Sequence, residues 1–163
     1  MNLNKAISSL NFKQLSTLFW LCISYPLYVI PSYTATRKTV AICNKEFGKK
    51  HHKNGKANAF RHALWNALII IKNIHWGRSP LRAAAWAKKV TDWHEDFSPN
   101  VPLAKAMDLH NNRIGRDYAQ HHPKVSTSQM TKLIMVLIPL SRKLNTIHEL
   151  DHFLDHLVYI EDD

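Results

Sequence analysis

Residues 57–73 read ANAFRHALWNALIIIKN and contain neither glycine nor proline. Within this stretch Phe60, Leu64 and Ile71 recur with the spacing of an α-helix. Ile69 and Ile70 make the helix apolar on almost every side, which is typical of a helix at the centre of a domain. We therefore predict that the rest of the fold packs around this helix.

Four more helices are expected after the central one. The signals are helix-start residues such as Ser79 and Pro80, a capping box formed by Thr146 and Glu149, and apolar residues at helical spacing. The expected helices are residues 80–95, residues 103–120, one that begins at 126–128 and one that begins at Thr146. The predicted fold class is all-α, a single compact domain of about five helices preceded by an apolar N-terminal helix. A short β element near Met135–Leu137 is compatible with this fold.

Three of the helices carry polar residues on faces that a simple core would fill with apolar ones. Asn58, His62 and Asn66 are four apart and line one row of the central helix, with Arg61 beside them. The other two rows are Thr91, His94 and Glu95, and then Asp108, Asn111, Asn112 and Gly115. Because buried polar groups need partners, we expect the three rows to converge.

The functional interpretation assigns chemistry to these rows. The candidate catalytic residues, which are also the candidate ligands of a divalent metal, are His62, His94, Glu95 and Asp108. The candidate substrate-binding residues are Asn58, Arg61, Asn111, Asn112 and Arg116. A buried Arg61 would also need a carboxylate nearby. The competing interpretation is a polar network that fixes the helix register and does no chemistry.

The N-terminal part of the chain differs in composition from the rest. Residues 14–36 carry no charge, and the run from Leu15 to Pro31 is about as long as a minimal membrane span of roughly 17–20 residues. Internal prolines make it a poor span. Three interpretations stay open: a membrane-associated segment, a helix of the core, and a cleaved signal that starts with Lys5 and Lys13. We expect an apolar segment over residues 1–36 and a helical domain over residues 37–163.

The charge of the chain is strongly positive. Lys and Arg number 22 against 12 Asp and Glu, a formal net charge of +10, and the basic residues are densest between Arg37 and Lys56. Such a cluster attracts an anionic membrane surface or nucleic acid. We favour the membrane surface as partner and its cytoplasmic side as location, because positive charge after an apolar segment hinders export. An exported, periplasmic protein is the alternative location. Nucleic acid is less favoured, because no DNA-binding or RNA-binding motif accompanies the cluster.

The polar rows also resemble the motifs of a bacterial family of unknown function. Residues 58–65 fit the pattern NAxRHAxW, residues 94–95 the pattern HE, and residues 108–115 the pattern DxxNNxxG. The resemblance covers roughly residues 35–120. Some relatives are terminal modules of toxin-like proteins, and this implies a hydrolase or effector activity. It also implies that the motif positions, which the buried-polar argument selected independently, form the site.

Together these observations predict a membrane-associated helical hydrolase with a His/Glu/Asp/Asn site. The expected substrate is an ester, an amide or a phosphoester of a lipid or an envelope polymer. Whether the chain is an enzyme stays open at this point. The first alternative is a non-catalytic membrane-associated adaptor or binding module, and the second is a basic nucleic-acid-binding protein.

Overall fold

A computed structural model describes residues 12–97 and 100–162 of the chain, without the side chain of Lys13. Six α-helices dominate the described residues, and the all-α prediction is confirmed. They are α1 Phe12–Ser24, α2 Pro26–Phe47, α3 Lys56–His75, α4 Pro80–Phe97, α5 Pro102–His121 and α6 Thr127–Met135. The 3₁₀ turns are Lys50–His52, Ile138–Leu140 and Ile147–His152, and the strands are β1 Arg142–Lys143 and β2 Val158–Tyr159.

The central position predicted for α3 is confirmed. Its residues from Leu64 to Ile71 are buried except for a half-exposed Trp65. Helices α2, α4, α5 and α6 all pack against it. The main core is therefore built around α3. A helix that is apolar on almost every side removes its apolar surface from water only when other helices enclose it.

Helices α3 and α5 approach each other closely at Gly115. A Cβ atom added to Gly115 of α5 would lie 2.6 Å from the carbonyl carbon of Ala63 and closer still to its oxygen. Real side chains do not tolerate such distances, so only glycine fits at position 115. Gly115 therefore admits the backbone of α3.

Two of the predicted helix starts are present, at Ser126 and at Pro80. Ser126 accepts a hydrogen bond from the backbone N–H of Gln129 at 3.2 Å, and the Gln129 side chain accepts from the Ser126 N–H at 2.8 Å. This reciprocal pair is a capping box that starts α6. Pro80 is the first residue of α4, as expected from Ser79-Pro80.

The prediction of a fifth helix from Thr146 is wrong. A short 3₁₀ turn covers Ile147–His152, and the chain then enters β2. Strand β2 pairs in parallel with β1, in the register Arg142 with Val158 and Lys143 with Tyr159. The Thr146 side chain caps nothing, and the backbone of Val158 is bound by the amide of Asn111 instead. These tertiary hydrogen bonds outweigh the local helical pattern. The short β element that the sequence left open near Met135–Leu137 is not there either, because Met135 ends α6.

The apolar N-terminal segment contains two helices in its described part. Pro26 begins α2. The chain bends sharply here, because the axis of α2 is turned by 116° from that of α1, taken from Gln14. Within residues 12–97 and 100–162 no single helix is long and apolar enough to cross a membrane, although this bent pair passes the same test jointly. The division at residue 36 stays a prediction, and it falls inside α2. Lys5 and the Lys13 side chain, the basic start of the signal interpretation, lie outside what the structure describes.

Replacing Gly115 with alanine tests the close approach of α3 and α5. Helix propensity alone predicts that Gly115→Ala stabilises the protein by about 1 kcal/mol. The contact with the Ala63 backbone predicts the opposite, a destabilisation of about 1–3 kcal/mol. Urea unfolding measures the free energy directly. Ala106→Gly, at a half-exposed position of the same helix, is the control and should cost only the propensity difference. A more stable Gly115→Ala protein would contradict the packing.

Candidate functional site

The polar row on α3 is buried, as its spacing predicted. Asn58, His62 and Asn66 are each at most 3% exposed. They lie on one side of the helix because residues four apart stand one above the other. His62 is at the centre of this row and faces α4 and α5. The imidazole is therefore enclosed by polar groups of three helices.

Two carboxyl groups flank the His62 ring. Glu95 Oε1 of α4 lies 3.4 Å from His62 Nδ1, and Asp108 Oδ1 of α5 lies 3.3 Å from His62 Nε2. All three side chains are buried. One ligand atom from each residue fits within 4.8 Å of the other two, a spacing that one metal ion can bridge. Glu95 Oε2 and Asp108 Oδ1 have no hydrogen-bond partner among the described residues.

The amide of Asn112 connects the helices behind His62. Its Oδ1 accepts from His62 Nδ1 at 3.2 Å and from Asn66 Nδ2 at 2.6 Å, while its Nδ2 donates to Glu95 Oε1 at 3.3 Å. Asn66 Oδ1 in turn accepts from Thr91 Oγ1 at 3.1 Å. Asn112 of α5 and Asn66 of α3 thus each bond to side chains of the other two helices. These bonds fix the relative positions of α3, α4 and α5.

Arg61 contacts Nε2 of the His62 ring, the nitrogen that Asp108 also approaches. Its Nη2 donates to His62 Nε2 at 2.8 Å and to Asn58 Oδ1 at 3.1 Å, and its Nη1 donates to the carbonyl of His51 at 2.6 Å. Because a guanidinium can only donate, Nε2 is the unprotonated nitrogen and the ring proton is on Nδ1. Asp108 and Glu95 act on Arg61 through their charge, but within the described parts of the chain neither is in ion-pair contact with it.

Burial controls the protonation of this site. It raises the pKa of Glu95 to about 8, with the Asp108 charge as a second cause, and it raises the pKa of Asp108 to about 7 against the opposing effect of Arg61. It also holds the pKa of His62 well below 6.5, and the Arg61 charge acts in the same direction. Without a bound cation, the buried carboxyls therefore take up protons near neutral pH, and the imidazole is uncharged.

A cavity of about 110 Å³ opens beside His62. Arg61 forms part of its wall, and among the residues that the structure describes no carboxylate does. Its lining residues are Thr36, Val40, His51, His52, Arg61, His62, Trp65 and His94. The cavity therefore presents one fixed positive charge and several imidazoles to whatever enters it.

The candidate residues are thus divided among several places. His94 lines the cavity, edge-on to Trp65 at 5.2 Å, and is not a member of the three-residue group of possible ligands. Asn111 exchanges two hydrogen bonds of 2.9 Å with the backbone of Val158 and so holds β2 on α5. Arg116 donates to Asn66 Oδ1 at 3.1 Å and borders a second cavity on the far side of the network.

Two residues at the site had no signal in the sequence. His51 belongs to the basic stretch between Arg37 and Lys56, and the structure places it fully buried in the 3₁₀ turn, where it lines the cavity. Its Nε2–H donates to Asn44 Oδ1 at 2.8 Å. Asn100 donates to Asp108 Oδ2 at 3.1 Å from the loop before α5. Both loops are placed by tertiary packing, and no periodic pattern could have revealed them.

The fold and site define a helical domain with a buried His/Glu/Asp cluster that opens to a basic cavity. A family model described as a domain of unknown function, DUF6973, matches residues 19–141. The chain belongs to this family, and the match includes every residue of the cluster and the cavity. No curated protein and no solved structure matches the chain.

The buried state of His51 predicts a loss of stability in acid. Burial, and then the charges of His52 and Arg61, lower the pKa of His51 to about 4. An unfolded histidine takes up its proton near 6.5, so between pH 6.5 and 4 the unfolded state binds more protons than the folded one. From pH 7 to pH 5, wild-type protein should lose on the order of 1 kcal/mol more unfolding free energy than His51→Gln. Urea unfolding at the two pH values measures the difference.

The exposed His148 provides the control for this comparison. His148→Gln should show the wild-type pH dependence, because an exposed ring is solvated in both states. Equal pH dependence in His51→Gln and wild type would show that His51 is accessible to protons in the folded protein.

Proposed function

We propose that this protein is a hydrolase that holds a divalent metal at His62, Glu95 and Asp108. The observation that carries the proposal is the pair of unpartnered carboxyl oxygens, Glu95 Oε2 and Asp108 Oδ1, on either side of a buried imidazole. An unpaired buried polar atom is costly, and a native protein retains one where it serves a purpose. A metal ion coordinated by an imidazole and two carboxylates would satisfy both oxygens.

The arrangement suits hydrolysis of a bond next to a negatively charged group. A divalent metal at such a site supplies Lewis-acid chemistry to a carbonyl or phosphoryl oxygen and to water. The lone pair on His62 Nε2 that a metal needs is the one that Arg61 contacts in the structure. Metal binding would therefore release an N–H of Arg61 toward the cavity. Arg61 then binds an anionic oxygen of the substrate, while Glu95 or Asp108 accepts a proton from water.

A non-catalytic binding module is the second candidate, and one observation favours it. Asn66, Asn112 and Thr91 join α3, α4 and α5 through hydrogen bonds, so the network has a structural use whether or not chemistry occurs. This candidate requires that the isolated protein contain no metal. It also requires that removing Asp108 destabilise the fold, by about 1–3 kcal/mol, because the Asn100 amide loses its acceptor and the nearby Arg61 charge loses a carboxyl group.

Metal content is the first test of the proposed hydrolase. Purified wild-type protein should contain close to one equivalent of a divalent metal by mass spectrometry. Glu95→Gln and Asp108→Asn should lose it, because each removes an anionic ligand with little change in shape. The same two variants should lose hydrolysis of ester, amide or phosphodiester substrates that the metal-loaded wild type cleaves.

Two neighbouring carboxylates provide matched controls for the metal test. Asp96 follows Glu95 and forms an exposed ion pair with Lys105, and Asp117 pairs with Arg113 on α5. Asp96→Asn and Asp117→Asn should retain metal and activity. A folded wild-type protein that takes up no metal, even from excess zinc or manganese, would refute the proposed function and leave the binding module.

The role of Arg61 is tested with inorganic phosphate as the probe. Phosphate should bind the metal-loaded protein, raise its melting temperature, and bind about tenfold more weakly to metal-loaded Arg61→Lys, because lysine cannot reproduce the planar fork of donors. Arg142→Lys, at an exposed position of β1, should leave phosphate binding unchanged. Equal phosphate binding by wild type and Arg61→Lys would remove Arg61 from the substrate site.

A further inference from the structure

The outer surface of α1 and the first half of α2 is unusually apolar. Nine of the sixteen large apolar side chains that are exposed in the described residues lie within residues 12–33. They are Phe12, Leu15, Phe19, Trp20, Ile23, Tyr25, Leu27, Ile30 and Tyr33, and together we call them the aromatic face. The other seven are scattered over residues 76–154. Such a concentration of exposed large apolar side chains in one segment marks an interaction site.

Helix α1 exposes most of its large apolar side chains and buries Leu21, whereas an ordinary surface helix buries most of them. Phe12, Phe19 and Ile23 are 89%, 61% and 56% exposed, whereas the polar Gln14 is only 9% exposed. A helix with this composition gains most by burying its aromatic stripe, yet the stripe points away from the core. The stripe is therefore available to an apolar medium, since within residues 12–97 and 100–162 nothing covers these side chains.

Positive charges border the aromatic face at fixed positions. The Arg37 guanidinium lies 5.9 Å from the ring centre of Tyr33, that of Arg78 lies 5.3 Å from Tyr28, and Lys89 Nζ lies 4.6 Å from Tyr25. These cations come from three different parts of the chain, so the fold assembles them. The first acidic residue in the sequence is Glu46, and hence α1 and the first half of α2 contain no negative charge.

The bend between α1 and α2 is held by aromatic packing against α4. Tyr25 and Tyr28 lie 5.3 Å and 5.2 Å from the Trp86 ring, and the Trp86 indole donates to Ser32 Oγ at 2.8 Å. Because Trp86 is buried, this contact anchors the start of α2 to the domain. The junction of the two apolar helices is therefore packed against α4.

We infer that the aromatic face docks on the surface of an anionic lipid bilayer. Tryptophan and tyrosine favour the boundary between headgroups and acyl chains, and an apolar helix face lies in that plane with adjoining cations toward the lipid phosphates. A second copy of this chain is a poor occupant, because a symmetric contact would bring two sets of Arg37, Arg78 and Lys89 together. This docking is independent of the proposed hydrolase chemistry, since it uses no residue of the His62 site.

Vesicle sedimentation with the full-length protein tests the docking. Binding to phosphatidylcholine vesicles that contain about one third phosphatidylglycerol should be at least tenfold tighter than binding to phosphatidylcholine alone, and it should weaken with added salt. The double variant Phe19→Ser/Ile23→Ser should lose at least tenfold in affinity. Leu81→Ser/Val136→Ser, at exposed apolar positions outside the aromatic face, should bind as wild type does.

The charge contribution is tested separately from the apolar one. Arg37→Gln/Lys89→Gln should reduce the preference for anionic vesicles, whereas Arg142→Gln at an exposed site in β1 should not. Circular dichroism and the unfolding midpoint confirm that each variant is folded, and the side chains changed on α1 are exposed.

Three outcomes would overturn the inference. One is the absence of binding to either kind of vesicle by the folded wild type. Another is equal loss of binding in Phe19→Ser/Ile23→Ser and in its control. The third is a dimer in solution that Phe19→Ser/Ile23→Ser dissociates, which would assign the face to a second copy. Because Glu95→Gln should bind vesicles like wild type, failure of the docking and failure of the hydrolase can be told apart.

Discussion

The backbone contact between Gly115 and Ala63 determines the geometry of the site. Since no Cβ fits between the two helices at this point, α5 lies closer to α3 than side chains normally allow. Asn112 and Asp108 precede Gly115 by about one and two helical turns and are carried onto the His62 ring by the same approach. A wider spacing between α3 and α5 would leave His62 facing solvent or a void. The cluster is thus buried because Gly115 of α5 lies directly against the backbone of Ala63 in α3.

Burial then sets the electrostatics of the cluster. Glu95 and Asp108 lose hydration, and for this reason their pKa values rise to about 8 and about 7, while the nearby charge of Arg61 opposes the rise. The structure separates the two signs of charge, with the carboxyl groups on the side of α4 and α5, and Arg61 at the cavity wall. The cluster thus offers carboxyl oxygens, which suit a cation, whereas the cavity wall offers the guanidinium of Arg61, which suits an anion. That asymmetry underlies the proposed hydrolase.

Much of the site was predictable, because helical spacing is a strong constraint. Asn58, His62 and Asn66 had to share a face, and polar residues enclosed by Phe60, Leu64 and Leu68 had to find partners. What spacing could not reveal is which partner each residue meets. Asn111 turned out to hold β2, Arg116 to contact Asn66 and His94 to line the cavity. The final helix was mispredicted because Leu157 and Val158 suit a strand equally well, and pairing with β1 decided between the two.

By itself the sequence determined the helical class, the central place of α3, the polar rows and the excess of positive charge. These properties depend on residue type and on periodicity within single segments, and both can be read directly from the sequence. The tertiary structure decided that His51 is buried, that Arg61 faces the cavity, and that the apolar stripe of α1 points outward. It decided these because each depends on distances between segments far apart in sequence. Such distances are set by how whole helices pack, and no local pattern encodes them.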